Sequence, residues 1–213
     1  MGIRSAKVRF DAWVYRAAID GYLTLMPKSI QDCPQGLSAE SCAASWSRYQ
    51  LVNATSLSVM QGVEGALKWI PWPWLRVQMT ATFANGEGPN PGGAVAFKTT
   101  RETAPRVPLS RVPPMNGTMD IRASLPKGFF AGTSLRWALL QSRLALNDLT
   151  DYRIPIGGTP GFAVFDVRMG YRYKHNLVIL GQFENIFNAA YRTHGSAVNG
   201  PGRGISMSIE TLY

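Results

Sequence analysis

The chain has 213 residues, and its 22 lysines and arginines outnumber its 13 aspartates and glutamates, for a formal net charge of +9. Hydrophobic residues make up 46% and charged residues 16%, against about 25% charge in an ordinary soluble domain. The apolar content excludes disorder, the absence of any run of about 18 apolar residues excludes a helical membrane protein, and two cysteines are too few for a disulfide framework. Sixteen of the cations are arginines scattered singly along the chain, so they form no basic run of the kind that binds nucleic acid.

The dominant pattern is an alternation of apolar and polar residues with period two, the signature of strands with one apolar face. A first strand is predicted over 6–26, where Val8, Phe10, Ala12 and Val14 alternate with Arg9, Asp11 and Trp13. A second, over 47–70, sets Val63, Gly65, Leu67 and Trp69 against Glu64, Ala66 and Lys68. In the third, 74–86, Leu75, Val77, Met79, Ala81 and Phe83 alternate with Arg76, Gln78, Thr80 and Thr82. The fourth, 115–126, sets Met119, Ile121, Ala123 and Leu125 against Asp120, Arg122 and Ser124. A fifth is predicted over 129–146. The sixth, 161–174, has Phe165, Val167, Met169, Tyr171 and Tyr173 on one face and Asp166, Arg168, Gly170, Arg172 and Lys174 on the other. A seventh covers 176–191, and the eighth, 203–213, alternates Ile205, Met207, Ile209, Thr211 and Tyr213 with Ser206, Ser208, Glu210 and Leu212.

The connectors alternate in length. Short ones are Pro71-Trp72-Pro73, Pro126-Lys127-Gly128 and Lys174-His175-Asn176; long ones cover about 27–46, 87–114, 147–160 and 192–202. Short turns at one end and long loops at the other organise an outer-membrane β-barrel, and the strands reach the roughly 9–11 residues that a tilted spanning strand needs. A soluble β-sandwich also alternates, but its strands are usually about 5–6 residues long. Here, moreover, charges occupy the polar face of nearly every strand. Aromatics also gather at the short-turn ends (Trp69, Trp72, Trp74, Phe129, Phe130, Tyr171, Tyr173), as in an interfacial girdle. Frequent glycine and proline, and the lack of i, i+3, i+4 apolar spacing, argue against helices.

Several local motifs follow one another in order. They are Asn53 with Gln61-Gly62-Val63-Glu64; Pro108-Leu109-Ser110-Arg111-Val112-Pro113-Pro114; Gln141-Ser142-Arg143-Leu144-Ala145 with Asp148 and Asp151-Tyr152-Arg153-Ile154-Pro155; and Thr159-Pro160-Gly161-Phe162 with Asp166. Glu184-Asn185-Ile186-Phe187-Asn188, Tyr191-Arg192, His194-Gly195-Ser196 and Gly200-Pro201-Gly202-Arg203 come next. In this order they resemble the C-terminal part of the barrel of TonB-dependent outer-membrane receptors. The resemblance implies an all-β fold: a transmembrane antiparallel β-barrel segment, single over 1–213, with about eight strands of a 22-stranded type. It places the chain in the outer membrane of a Gram-negative bacterium, beside lipid and lipopolysaccharide, with wall and loops serving import of a siderophore or another large scarce solute. The family's signal peptide, TonB-contacting box and plug have no counterpart in this sequence. The remaining strands and the plug, with its contact to TonB, are therefore expected from another chain or from a missing N-terminal part. The chain is a fragment, a subunit of a split receptor, or a small barrel descended from one. The alternative function is a structural or interaction subunit of an outer-membrane assembly without transport of its own. Ile205, Met207, Ile209 and the final Tyr213 resemble the C-terminal signal read by the barrel assembly machinery.

Cys33 and Cys42 lie within the first long loop. If that loop faces outside, a disulfide is expected, removing about 2–3 kcal/mol of unfolded-state entropy; a metal site is the weaker alternative because no histidine lies nearby. His175 and His194 lack partners at metal-ligand spacing, and no catalytic motif is present, so neither an enzyme nor a cofactor is expected. The functional candidates are the polar-face residues Arg9, Asp11, Glu64, Lys68, Arg76, Asp120, Arg122, Arg136, Asp166, Arg168, Arg172, Glu184 and Glu210. All are expected to face the lumen, with opposite charges pairing across the ladder. The loop residues Arg101, Arg106, Arg111, Arg153 and Arg192 are candidates to meet an anionic solute or lipopolysaccharide phosphate.

Overall fold

A computed structural model describes residues 2–27, 49–91, 104–174 and 176–211. Its strands are β1 (Gly2–Arg4), β2 (Val8–Ile19), β3 (Leu23–Pro27), β4 (Tyr49–Asn53), β5 (Ser58–Trp72), β6 (Leu75–Pro89), β7 (Arg106–Pro108), β8 (Asn116–Ser124), β9 (Phe129–Ala138), β10 (Phe162–Tyr173), β11 (Leu177–Glu184) and β12 (Gly204–Thr211). The main sheet runs β1-β2-β5-β6-β8-β9-β10-β11-β12, with β7 added to the far end of β6. All of these pairings are antiparallel. Apart from the β3–β4 hairpin, which forms its own two-stranded sheet, strands adjacent in the main sheet follow one another along the chain, as in an up-and-down barrel wall.

The register carries the period-two pattern across every pair. Phe10 faces Leu67, Leu67 faces Met79, Met79 faces Met119, Met119 faces Leu135, and Leu135 faces Phe165. A second apolar row joins Met169, Gly181 and Met207, and a third joins Tyr171, Ile179 and Ile209. Among the described residues this face has no covering layer: Val14 is 80% exposed, Met169 66%, Ile205 81% and Met207 71%. Contiguous uncovered apolar surface on this scale belongs against hydrocarbon. The 12 residues of β10, tilted as barrel strands are, rise through about 30 Å, enough to cross the hydrocarbon core.

The short-turn end carries the aromatic belt. Trp72 and Trp74 stack with ring centroids 5.5 Å apart and planes 9° from parallel, Phe129 lies 4.8 Å from Tyr171, and Tyr171 lies 6.5 Å from Tyr173. The turns here are tight. Lys127 (φ 61°), Gly128 (φ 86°) and Lys174 (φ 51°) take the left-handed conformation that reverses a chain in two or three residues.

The long-loop ends depart from the predicted boundaries for local reasons. The strand expected over 6–26 is interrupted at Asp20-Gly21-Tyr22, where Gly21 has φ 60°. The strand expected over 129–146 stops at Ala138, because residues 144–146 turn inward and are buried. The strand expected over 176–191 stops at Glu184, because Asn185 takes φ 47°. Two short strands, β1 and β7, carry no alternation long enough to be seen in sequence.

One close contact tests the packing of the wall. A Cβ placed on Gly117 would lie 2.3 Å from the Thr80 carbonyl oxygen and 2.7 Å from the Trp137 ring. At Gly65, two strands along in the same row, the nearest atom is the Phe10 ring at 3.9 Å. Gly117→Ala therefore costs about 1–3 kcal/mol through overpacking, whereas Gly65→Ala is tolerated. The temperature of the heat-induced gel-mobility shift, measured on the two variants in the intact protein, is expected to fall only for Gly117→Ala.

Candidate functional site

The second face of the sheet gathers the charges. Arg9, Lys68, Gln78, Asp120, Ser134 and Asp166 lie in one cross-strand row. Asp11, Ala66, Thr80, Thr118 and Arg136 form the next row toward the long loops, and the Thr80 and Thr118 hydroxyls are 2.7 Å apart. Toward the short turns, Arg76, Arg122, Gly132, Arg168 and Gln182 form a third row. Glu64 pairs in register with Thr82, Arg172 lies level with Val178 and Glu210, and Glu184 lies opposite Gly204. Every polar-face residue singled out from the sequence thus falls on the same face.

Only some of the expected ion pairs form. Asp11 accepts from Arg9 at 2.6 Å and lies 3.6 Å from Arg4, and Asp120 bridges Arg122 at 3.1 Å and Arg168. Asp166 makes hydrogen bonds instead, accepting from the Ser134 hydroxyl at 3.1 Å and the Asn185 amide at 2.8 Å. Arg136 donates to the Tyr191 hydroxyl at 2.9 Å and lies over that ring. A broad concavity of about 870 Å³ opens at the short-turn end, lined by Arg76, Arg122, Arg168 and Arg172 together with Trp74 and Phe130.

At the opposite end, the loop motifs assemble into one cap. Asp148 is almost fully buried and accepts three hydrogen bonds: from the Ser110 hydroxyl at 2.5 Å, and from the Arg111 and Ala145 amides at 3.2 Å each. Gln141 donates to the Val112 carbonyl at 2.6 Å and exchanges backbone bonds with Thr159. Leu109, Val112, Leu144, Ile154 and Tyr191 form the small core beneath. Asn185 closes the far side, its amide donating to Ala189 and Pro201 carbonyls at 2.9 and 3.1 Å. His194 Nδ1 lies 2.9 Å from the Thr159 hydroxyl. Burial holds this imidazole below its ordinary pKa, against the opposing pull of the Asp148 charge.

The loop arginines do not converge on one site. Arg111 and Arg153 share Asp151, at 2.8 and 2.7 Å. Arg192 donates to Asn199 at 2.8 Å, and Arg106 donates to the Leu57 and Glu87 carbonyls. Arg101, Cys33, Cys42, His175 and Tyr213 lie outside the described residues. Ile205, Met207 and Ile209 stand exposed on the apolar face of β12. Arg143, seen in sequence as part of the Gln141–Ala145 motif but not as a loop candidate, reaches Asn85 and pairs with Glu87 at 2.5 Å. Its partners lie more than fifty residues away, out of reach of any local pattern.

This arrangement defines a section of transmembrane β-barrel wall with one apolar and one charged face. Residues 3–188 match the family model for the TonB dependent receptor-like β-barrel, and the chain belongs to that family. The family is one of outer-membrane receptors and transporters, not of enzymes. Among solved structures, the chain is similar to the copper transporter OprC (TM-score 0.69, 16% identity, 99% of this chain and 30% of that one). It is also similar to the FrpB iron transporter from Neisseria meningitidis (TM-score 0.67, 15% identity, 99% and 30%). A third is the ferric yersiniabactin uptake receptor FyuA from Yersinia pestis (TM-score 0.61, 14% identity, 100% and 29%). The chain thus spans about 30% of the length of these structures. A comparison with curated proteins gives no match.

Replacing Asp148 by alanine leaves three donors of the cap without their acceptor, a local loss of about 3 kcal/mol. Exchange of the Arg111 and Ala145 amides is then expected to speed up by about two orders of magnitude, with exchange along β8 to β10 unchanged. Hydrogen exchange read by mass spectrometry on the intact protein checks this.

Proposed function

We propose that this chain forms the C-terminal wall and outer loops of a TonB-dependent receptor in a Gram-negative outer membrane, importing a metal chelate such as a siderophore or another large scarce solute. The observation that carries this reading is the sorting of the wall into an uncovered apolar face and a concave face lined with arginines, in a chain that belongs to the receptor family. On this reading the chain holds no chemistry of its own. The plug, its TonB contact and the other strands come from outside these residues, supplying partners for the free edges of β1 and β12 in the described sheet. A backbone edge left unpaired in hydrocarbon is too costly to persist.

The same reading makes Ile205, Met207, Ile209 and Tyr213 the signal for the barrel assembly machinery and makes Cys33–Cys42 a loop disulfide. Arg101, Arg106, Arg111, Arg153 and Arg192 are the loop cations that meet an anionic solute or lipopolysaccharide. Arg106 is the strongest case among them, because it shares the outer end of β6 with Arg143.

Uptake of radiolabelled ferric chelates by cells producing the intact protein tests the proposal. Uptake of at least one chelate is expected to be abolished in a strain lacking TonB. A correctly assembled protein that imports none of the panel and shows no TonB dependence would point to the structural subunit instead.

A further inference from the structure

At the long-loop end, the apolar face of β2, β5 and β6 gives way to charge. Val14, Val63 and Phe83 share one cross-strand row of that face; the next row is Arg16, Gln61 and Asn85, and the one after it Ala18, Val59, Glu87 and Pro108. Arg106, two residues from Pro108 on β7, keeps the same face. Arg143 arrives from the loop after β9, bonding to Asn85 and pairing with Glu87 at 2.5 Å. Arg16, Asn85, Glu87 and Arg106 line a shallow concavity of about 390 Å³. Beside it, Phe83, Met115, Leu139 and Leu140 line a slot of about 240 Å³ that also takes in Asn85 and Arg143.

Position along the strand fixes the surroundings of these arginines. Gln61 lies eleven residues from Trp72 along β5, which at barrel tilt is a rise of about 27 Å. The apolar band of a barrel is about as tall. With the tryptophan belt at one boundary, Arg16, Arg106 and Arg143 stand at the other, at headgroup level and on the lipid side of the wall.

The charge there is uneven. Arg106 donates to the Leu57 and Glu87 carbonyls, which carry no formal charge, and among the described residues Arg16 has no ion-pair partner. Three guanidiniums around one carboxylate leave two positive charges beside an apolar slot. A phosphate monoester brings about −1.5 to −2 at pH 7, and its oxygens accept from several guanidiniums at once. A phosphate diester, with a single negative charge, leaves half of the excess unmatched. The slot, opening beside the same arginines, suits an apolar chain attached to that headgroup.

We propose that Arg16, Arg106 and Arg143 hold the phosphate monoester headgroup of a membrane lipid, with one of its acyl chains in the slot of Phe83, Met115, Leu139 and Leu140. This rests on the reading of the chain as an outer-membrane wall, and it assigns Arg106 to lipid rather than to solute.

Native mass spectrometry of the intact protein, released from micelles containing equal amounts of dioleoyl phosphatidate and dioleoyl phosphatidylglycerol, tests this. Retained phosphatidate is expected to exceed phosphatidylglycerol about tenfold. Arg16→Gln with Arg106→Gln is expected to erase that preference, while Arg16→Lys with Arg106→Lys keeps most of it. If the glutamine pair fails to assemble, Arg16→Gln alone, which loses no ion pair, is expected to reduce the preference. Equal retention of the two lipids, a preference unchanged in the glutamine variants, or loss of the bound phosphatidate to inorganic phosphate alone would overturn the proposal. Fractionation of the producing cells separates the two failures. A protein recovered in outer membranes without the preference sinks this inference alone, and a protein absent from them sinks the wall reading with it.

Discussion

Hydrocarbon offers no hydrogen bonds, so a chain that crosses it must pair its backbone groups within its own sheet. That constraint accounts for most of what this chain looks like. The strands are long, each is joined to the next by antiparallel pairing, and sequence neighbours are neighbours in the sheet from β8 to β12. Among the described residues, proline enters the strands only at their ends, as at Pro27, Pro89 and Pro108, or at an irregularity, as at Pro71, where the pairing of β5 with β6 shifts register between Trp69 and Trp72. The same constraint gives the two free edges their meaning. β1 and β12 end the described sheet without a further neighbour, which is a stable arrangement in lipid only when other strands complete the wall.

Once the ladder is in place, the pleat divides the residues. Every second side chain meets lipid, so Phe10, Leu67, Met79, Met119, Leu135 and Phe165 form a belt without any cluster of neighbours in sequence. The remaining side chains meet water, and the net charge of +9 resolves into two populations. Most loop arginines are held by Asp151, Asn199 or backbone carbonyls. Several wall arginines remain available, gathered near the short turns. A single average over the chain conceals this sorting, which is why its mean hydropathy sits near zero.

Legibility followed the range of the interaction. The wall could be read because period-two alternation is local: the sixth predicted strand, 161–174, matches β10 at Phe162–Tyr173. The ends could not, because they are set by contacts distant in sequence. Nothing near residue 139 announces that Gln141 will bond to Val112 and Thr159 and end the strand early. The motifs that resemble the receptor family also changed in meaning. Ser110, Asp148, Asn185 and Tyr191 were conspicuous as residue types in order, yet the structure spends them on holding the cap together. The polar face was predicted residue by residue, but the convergence of Arg76, Arg122 and Arg168 into a row depends on strand register, which alternation within one strand does not specify.

The division of each strand between lipid and water is the claim on which the barrel wall and the transport reading both stand. Nitroxide labels placed one at a time from Phe165 to Tyr173 in the membrane-embedded protein measure it directly, through relaxation by oxygen and by a water-soluble nickel complex. Oxygen accessibility is expected to peak at Phe165, Val167, Met169 and Tyr171, and nickel accessibility at Asp166, Arg168, Gly170 and Arg172, the two profiles running in opposite phase with period two. Profiles that rise and fall together, or that repeat every three to four residues, would contradict the account.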